Sequence, residues 1–254
     1  MIRLDGSVAL VTGGSRGVGR SCALRLAEAG ADLVVNYVTS QAAAEQVAEE
    51  IQALGRRVAV VRADVSWQDD IAAMMEFVGE QFGGLDILVS NAASGGFRPL
   101  AGTTALNFEA AMNTNVRGLL FLVQSALPLM AGRARRAKVI ALSSHGSYLA
   151  LPMYGMIGST KAAMEAMVRH FALELGGRGI NFNALLAGLL DTDSSRSLPA
   201  FEQLQQAWRQ RTMVGERTLE LTDVADVALF LASPLSDLIQ GQTITVDGGA
   251  SVHG

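Results

Sequence analysis

The sequence predicts an α/β fold: one doubly wound domain spanning residues 1–254, with a parallel sheet of about seven strands and helices on both faces. Three observations predict it. Short β-rich apolar runs alternate with helix-length stretches along nearly the whole chain, the runs are apolar at almost every position, and no linker, repeat or low-complexity tract interrupts them. A strand covered on both faces reads as a near-continuous apolar run, and each parallel crossover needs a helix that buries its stripe on the sheet. Half of the 254 residues are apolar, enough for a sizeable core.

The first run, "SVALVTG", is followed by the glycine-rich "TGGSRGVGR" at residues 12 to 20 and a helical stretch, "VGRSCALRLAEAG". Glycines between a strand and a helix let the backbone approach a pyrophosphate and aim helix N-terminal N–H groups at it. This predicts a Rossmann-type dinucleotide site with Gly13, Gly17 and Gly19 as its loop. Cys22, the only cysteine, lies in the apolar pattern of that helix; it excludes an internal disulfide and reads as a buried thiol, in keeping with a reducing cytoplasm. Strands two to four follow as "ADLVVNYV", "RRVAVVRADV" and "LDILVSNAA". The apolar segment 105 to 131 predicts one long helix. The basic run "AGRARRAK", residues 131 to 138, predicts a solvated helix end at the N-terminal edge of the sheet, away from ligands. Strand five, "AKVIALSS", leads into a helix over 153 to 175, strand six is "GINFNALLAG" and the last strand is "TITVDGG". Before that last strand, the weakly patterned stretch from about 190 to 216 predicts a substrate lid that is mobile without ligand. Within it "LPAFEQLQQAW" is a short amphipathic helix able to close over a substrate.

Acids exceed bases by four and the two signs are interspersed, so no nucleic-acid or anionic-membrane surface is expected. The opening "MIRLDGSVALVTGG" lacks a secretory h-region, and no stretch reaches 18 uninterrupted apolar residues, so a cytoplasmic protein without a membrane span is predicted. His145, His170 and His253 have no ligand-like cluster of Cys or carboxylates around them, and no metal is predicted.

The glycine spacing is T-G-x-x-x-G-x-G, and in this the sequence resembles the short-chain dehydrogenase/reductase family. The likeness runs from residue 5 to about 249. It includes "ADV" at 63 to 65, "SNAA" at 90 to 93, "NVRG" at 115 to 118, a Ser and a Lys around the central helix, and the closing "VDGG". Ser90 and Ala93 replace the family's usual Asn and Gly, and "LLAG" at 185 to 188 lacks the usual Pro before Gly188. At the end of strand two, NAD-using members carry an acid that holds the ribose hydroxyls. The residue read at that position is Asn36, so no carboxylate repels a 2′-phosphate. Arg16 stands where the resemblance places a basic residue against that phosphate, with Thr39 and Ser40 as neutral donors. The implied cofactor is NADPH. Asp64 is expected to cap the adenine amino group, with Val65 against the ring, although Asp at a strand end is also an ordinary turn residue. The resemblance implies further contacts from Ser15, Val18, Asn91, Ala92, Gly188, Thr192 and Lys161.

The central helix carries "PMYGMIGSTKAAMEA", residues 152 to 166. In the family's usual ketoreductase arrangement Tyr and Lys stand four apart, with a Ser thirteen positions before the Tyr. Counting back from Lys161 gives Ile157 and then Ser144, so the register of Ser and Lys is kept and the Tyr is missing. Ser143 competes with Ser144 for the serine role, and the count favours Ser144. The nearest phenol is Tyr154, roughly 4.5 Å along the axis from Ile157 and on the same face, with Tyr148 a weaker alternative. A carbonyl takes hydride on the carbon bonded to the oxygen that needs the proton. An α,β-unsaturated thioester takes it on the β carbon, and charge develops on an oxygen several bonds away, where a phenol displaced by about one turn is better placed.

That spacing resembles the enoyl-acyl carrier protein reductases of the family, closest to the bacterial NADPH-dependent branch. By matched position Tyr154 would stabilise the enolate, Lys161 would hold the nicotinamide ribose, Ser144 would be a secondary polar contact, and Asn115 would kink or hydrate its helix and support Lys161 or serve structure alone. The implied reaction is NADPH-dependent reduction of the C=C bond of an enoyl thioester on acyl carrier protein or CoA. Two alternatives stay open: a ketoreductase that uses Tyr154 for carbonyl reduction, and a non-catalytic NADPH-binding protein. Arg196, Arg209 and Arg211 flank the lid and are candidates for meeting phosphopantetheine or an acidic carrier surface. Apolar residues beyond one sheet-facing stripe on helices 105–131 and 153–175, which the family pairs across a two-fold axis, imply a homotetramer or a dimer of the same kind.

Overall fold

In the computed structural model, which describes residues 2–215 and 217–252, the seven apolar runs become strands β1 (Val8–Val11), β2 (Asp32–Tyr37), β3 (Val58–Arg62), β4 (Ile87–Ser90), β5 (Ala137–Ser144), β6 (Ile180–Ala187) and β7 (Thr243–Val246). They form one parallel sheet in the order β3-β2-β1-β4-β5-β6-β7. Helices α1 (Gly17–Glu28), α2 (Gln41–Ala53) and α8 (Leu221–Ala232) cover one face, and α3 (Gln68–Phe82), α5 (Gly118–Met130) and α6 (Gly155–Leu175) cover the other. The strand side chains alternate between these two cores: Ala9 and Val11 of β1 pack with Cys22, Leu26 and Val224, while Val8 and Leu10 pack with Met74, Leu122 and the α6 side. Both cores are fully apolar at their centres, which is why the strands show no polar alternation.

The order reverses direction at β1, whose neighbours are β2 (Val8 opposite Asp32) and β4 (Ala9 opposite Ile87). The connections leaving β1 and β4 therefore diverge and open a crevice at the C-terminal edge of the sheet. Local sequence sets the helix ends. Asp69 and Asp70 sit in the first turn of α3, where the helix dipole favours acids, and Gly83 ends that helix at φ 73°, a conformation that suits glycine. Glu220 and Asp223 form a reciprocal capping box at the start of α8.

Two expectations are corrected by the packing. The stretch 105 to 131 is not one regular helix: α4 (Ala105–Ala111) passes into a π-helical segment, Met112–Arg117, before α5 begins. The wider π turn presents Asn115, 1% exposed, to partners outside its own helix. The basic run is not a solvated helix end either. Arg133 holds Asp86 through two bonds of 2.7 and 2.6 Å, Arg136 bonds Asn181 and the Gly176 carbonyl, and the buried Lys138 reaches Asp237 at 2.6 Å. These cations brace the N-terminal edge of the sheet because backbone and side-chain acceptors of neighbouring elements converge there. No helix among the described residues is long and apolar enough to cross a membrane.

Candidate active site

The crevice is built first by the glycine loop. Gly13 and Gly17 take φ of 62° and 55°, and a Cβ on Gly19 would run into the Gly13 carbonyl oxygen, so the loop folds back on the first turn of α1 as only glycine allows. Neighbouring strands hold it there. Thr12 Oγ1 accepts from the Asn91 and Ala92 amides, each at 3.0 Å, and Asn91 Nδ2 donates to the carbonyls of Thr12 and Gly13. Gly13, Ser15, Arg16, Gly17 and Val18 line one cleft of about 730 Å³ together with Asp64, Val65, Asn91, Ala92 and Thr192.

Asn36 requires a correction. Its side chain is fully buried beneath the loop, accepting from the Gly13 amide at 3.2 Å and donating to the Ala63 carbonyl at 2.8 Å. It braces the loop and does not face the cleft. The end of β2 presents Tyr37, Val38, Thr39 and Ser40 there instead. None is acidic, so the conclusion drawn from Asn36 stands on different residues. Arg16 lines the same cleft and pairs with Asp193 of the segment after β6 at 3.6 Å, both side chains largely exposed. Asp64 does double duty: its Oδ1 accepts from the Ser66 amide in a turn, and the residue also walls the cleft. A glycine cradle aimed by a helix start, an acid-free end of β2 and a nearby guanidinium fit a dinucleotide bearing a 2′-phosphate. Gly188 stands apart from this cleft, pressed against Asp247, whose Cβ would lie 3.0 Å from a side chain at that position.

The second part of the site lies where β5 meets α6. Tyr154 occupies the N-cap position of α6, not its interior, and its ring lies over Gly146, where any Cβ would collide with it. Phe97 stacks on the same ring at 5.8 Å. These contacts aim the phenol at β5, and Tyr154 Oη donates to Ser144 Oγ at 3.1 Å. Burial pushes the phenol's pKa up, with the Ser144 hydrogen bond opposing, so the group is a neutral donor at neutral pH.

Ile157 is buried and packs on Gly95, where a Cβ would come within 2.5 Å of its Cγ1. The position four before Lys161 is thus an apolar plug. Lys161 is 6% exposed, and its Nζ donates to the Leu142 carbonyl at 2.6 Å. Burial pushes this amine down to about 8, and the Glu165 carboxylate one turn on works against the shift.

Ser143 turns to the opposite side of β5 and donates to Glu165, which settles which serine meets the phenol. Asn115 clamps the loop after β4 through both Ser94 backbone groups and donates to Thr160 Oγ1 at 2.9 Å, so it positions the residue beside Lys161. Tyr148 is more than half exposed and lies edge-on to His145. Arg196 is bound to Asp191 at 2.6 Å.

Sequence reasoning missed one group. His145, set aside for want of a ligand cluster, meets Asp247 of the closing "VDGG" at 2.9 Å and stacks on Trp208 of helix α7 (Phe201–Arg211). The only hint in the sequence was its place directly after Ser144. Among the described residues no group of three or more His, Cys, Asp or Glu gathers in a way that could hold a metal, and His253 lies outside them.

With the geometry in hand, comparisons add three kinds of likeness. Residues 13–251 match the family model described as enoyl-(acyl carrier protein) reductase. The chain is 36% identical over 247 residues to the 1-cyclohexenylcarbonyl-CoA reductase of Streptomyces collinus, covering 96% of this chain and 87% of that one. It is 38% identical over 241 residues to the 3-oxoacyl-acyl-carrier-protein reductase of Staphylococcus aureus, covering 95% and 96%. Among solved structures, a short chain dehydrogenase of Burkholderia cenocepacia in complex with NADP superposes with a TM-score of 0.89 at 34% identity, covering 98% and 99% of the two chains.

Proposed function

This chain belongs to the short-chain dehydrogenase/reductase family and is an oxidoreductase, and on that premise we propose that it uses NADPH to reduce the C=C bond of an enoyl thioester linked to CoA or acyl carrier protein. One observation carries the choice of bond. The place four residues before Lys161 holds the buried Ile157, and the phenol bonded to Ser144 is that of Tyr154, at the helix cap. A proton donor set back in this way suits an oxygen remote from the carbon that accepts hydride.

NADPH would be held by the glycine loop, by Arg16 at the 2′-phosphate and by Lys161 at the nicotinamide ribose; when bound it supplies the hydride. The chain's own residues do the rest. Tyr154, kept neutral by burial, donates a hydrogen bond to the thioester oxygen and stabilises the enolate as charge develops there. Ser144 fixes the phenol's direction. Lys161, protonated below about pH 8, would supply a positive charge to the site.

A second reading, reduction of a 3-oxoacyl thioester at its carbonyl, has one observation in its favour: the Tyr154–Ser144 bond preserves the serine–phenol pair of a ketoreductase. NADPH oxidation with crotonyl and acetoacetyl thioesters side by side separates the two. Faster crotonyl turnover is expected, with Tyr154→Phe lowering it by about 10²–10³, the size of losing one oxyanion donor, while NADPH binding is retained. Ile157→Tyr should not rescue Tyr154→Phe on crotonyl thioester. Acetoacetyl turnover far above crotonyl turnover, or an undiminished Tyr154→Phe, would overturn the proposal.

A further inference from the structure

His145 is a buried titratable group that the proposed chemistry does not use. It directly follows Ser144 and is 3% exposed. Its Nε2 bonds Asp247 Oδ2 at 2.9 Å, and Asp247 is itself fixed by the Gly249 amide at 2.8 Å and by Ser251 through both its amide and its hydroxyl. One face of the imidazole is covered by the Trp208 ring at 4.6 Å and an interplanar angle of 4°. Tyr148 meets the imidazole edge-on at 6.0 Å, and Arg211 lies over the Trp208 ring at 5.5 Å. Three elements distant in sequence thus converge on one ring: the end of β5, the turn after β7 and the lid helix α7.

Just after α7 the Met213 amide donates to the Gly248 carbonyl at 2.7 Å, so the same turn that holds Asp247 also holds the end of this helix. No residue of α7 is fully buried, and its half-buried positions, Phe201, Gln205, Trp208 and Arg211, follow one helical face. With so narrow a docked face, the stack of Trp208 on His145 is a principal side-chain contact between α7 and the end of β5. The stretch leading into α7 reaches the cofactor cleft through Asp191, Thr192 and Asp193, which puts lid position and cleft closure on the same chain segment.

We infer that His145 is a positioning residue: clamped by Asp247, it is the platform on which Trp208 docks α7, so that lid closure is registered to the strand end that presents Ser144. Burial keeps the imidazole neutral by lowering its pKa, against the opposing pull of Asp247 and with help from Arg211, so the contact is a neutral ring stack at neutral pH. That the closing lid covers the acyl part of a thioester rests on the function proposed above; the docking itself does not.

The test has a substrate-free arm and a kinetic arm. Trp208 is isolated as the fluorophore by Trp67→Phe in the full-length protein, and its quenching by acrylamide is measured without ligand. His145→Ala should expose Trp208, raising the quenching constant about two- to tenfold, the range of one aromatic stack. His145→Phe, which keeps a flat ring, should return it toward the parent. In the kinetic arm His145→Ala should raise KM for crotonyl thioester by a similar factor with kcat and the KM for NADPH little changed. Quenching that does not respond to His145→Ala in a folded protein, or that stays high in His145→Phe, overturns the inference. A protein that turns over no thioester would instead sink the proposed reaction, and the quenching arm would still judge the docking.

Discussion

Lys161 offers a stability prediction that follows from its burial. Its amine is 6% exposed, is bonded to the Leu142 carbonyl, and is pushed from the ordinary 10.5 down to about 8. At about 1.4 kcal/mol per pH unit, holding this charge in the folded state at neutral pH costs on the order of 3 kcal/mol relative to the unfolded chain. Lys161→Met keeps the length and removes the charge. Because the folded-state value lies below the unfolded one, the unfolded chain binds the extra proton between pH 8 and 10.5. Wild-type stability must therefore rise relative to the methionine variant as pH increases through that window. From pH 7 to pH 10 the relative gain is about 2–3 kcal/mol. Urea unfolding of both proteins by far-ultraviolet circular dichroism at pH 7, 8, 9 and 10 reads it directly, since other titrating groups cancel in the difference. A difference that stays flat with pH would show that Lys161 titrates like a solvated lysine and would remove the electrostatic role given to it. The same amine predicts that kcat/KM of the wild type falls above pH 8, and that Lys161→Met is inactive whatever its stability.

Arg16→Ala should erase most of a preference for NADPH over NADH, since one charge-assisted contact contributes about 1.5–3 kcal/mol, a tenfold factor or more. Equal use of the two cofactors by the unaltered protein would refute that role. Leu173 of α6 is 83% exposed and Leu106 of α4 is 74% exposed, apolar surface that suits pairing of these helices between copies. Sedimentation should find a homotetramer or a dimer of the same kind that Leu173→Glu weakens; a monomer of the parent at micromolar concentration would exclude it.

The sequence by itself determined the sheet and the order of its elements, because a strand buried on two faces and a helix that covers it each write a local pattern: unbroken apolar runs for β1 through β6 and spaced stripes for α1, α3 and α6. It also carried the glycine loop and the Ser144–Lys161 register, since spacing along one strand and one helix is local too. What only tertiary structure decided were orientations and long-range meetings. Adjacent strand residues point to opposite faces, so reading the end of β2 one position early put Asn36 in the cleft, where Tyr37 and its successors belong. The distortion expected at Asn115 takes the form of a π turn in which Asn115 meets Ser94 and Thr160, partners that no helical pattern records. Arg133 and Lys138 changed from solvated cations to braces once Asp86 and Asp237 were brought to them. His145 and Asp247, 102 positions apart, become neighbours only when β5 and the end of β7 are folded into one edge of the sheet. Such contacts depend on chain segments that are unrelated in sequence and are brought together by burial of the cores, so their partners are written nowhere near the residues that need them.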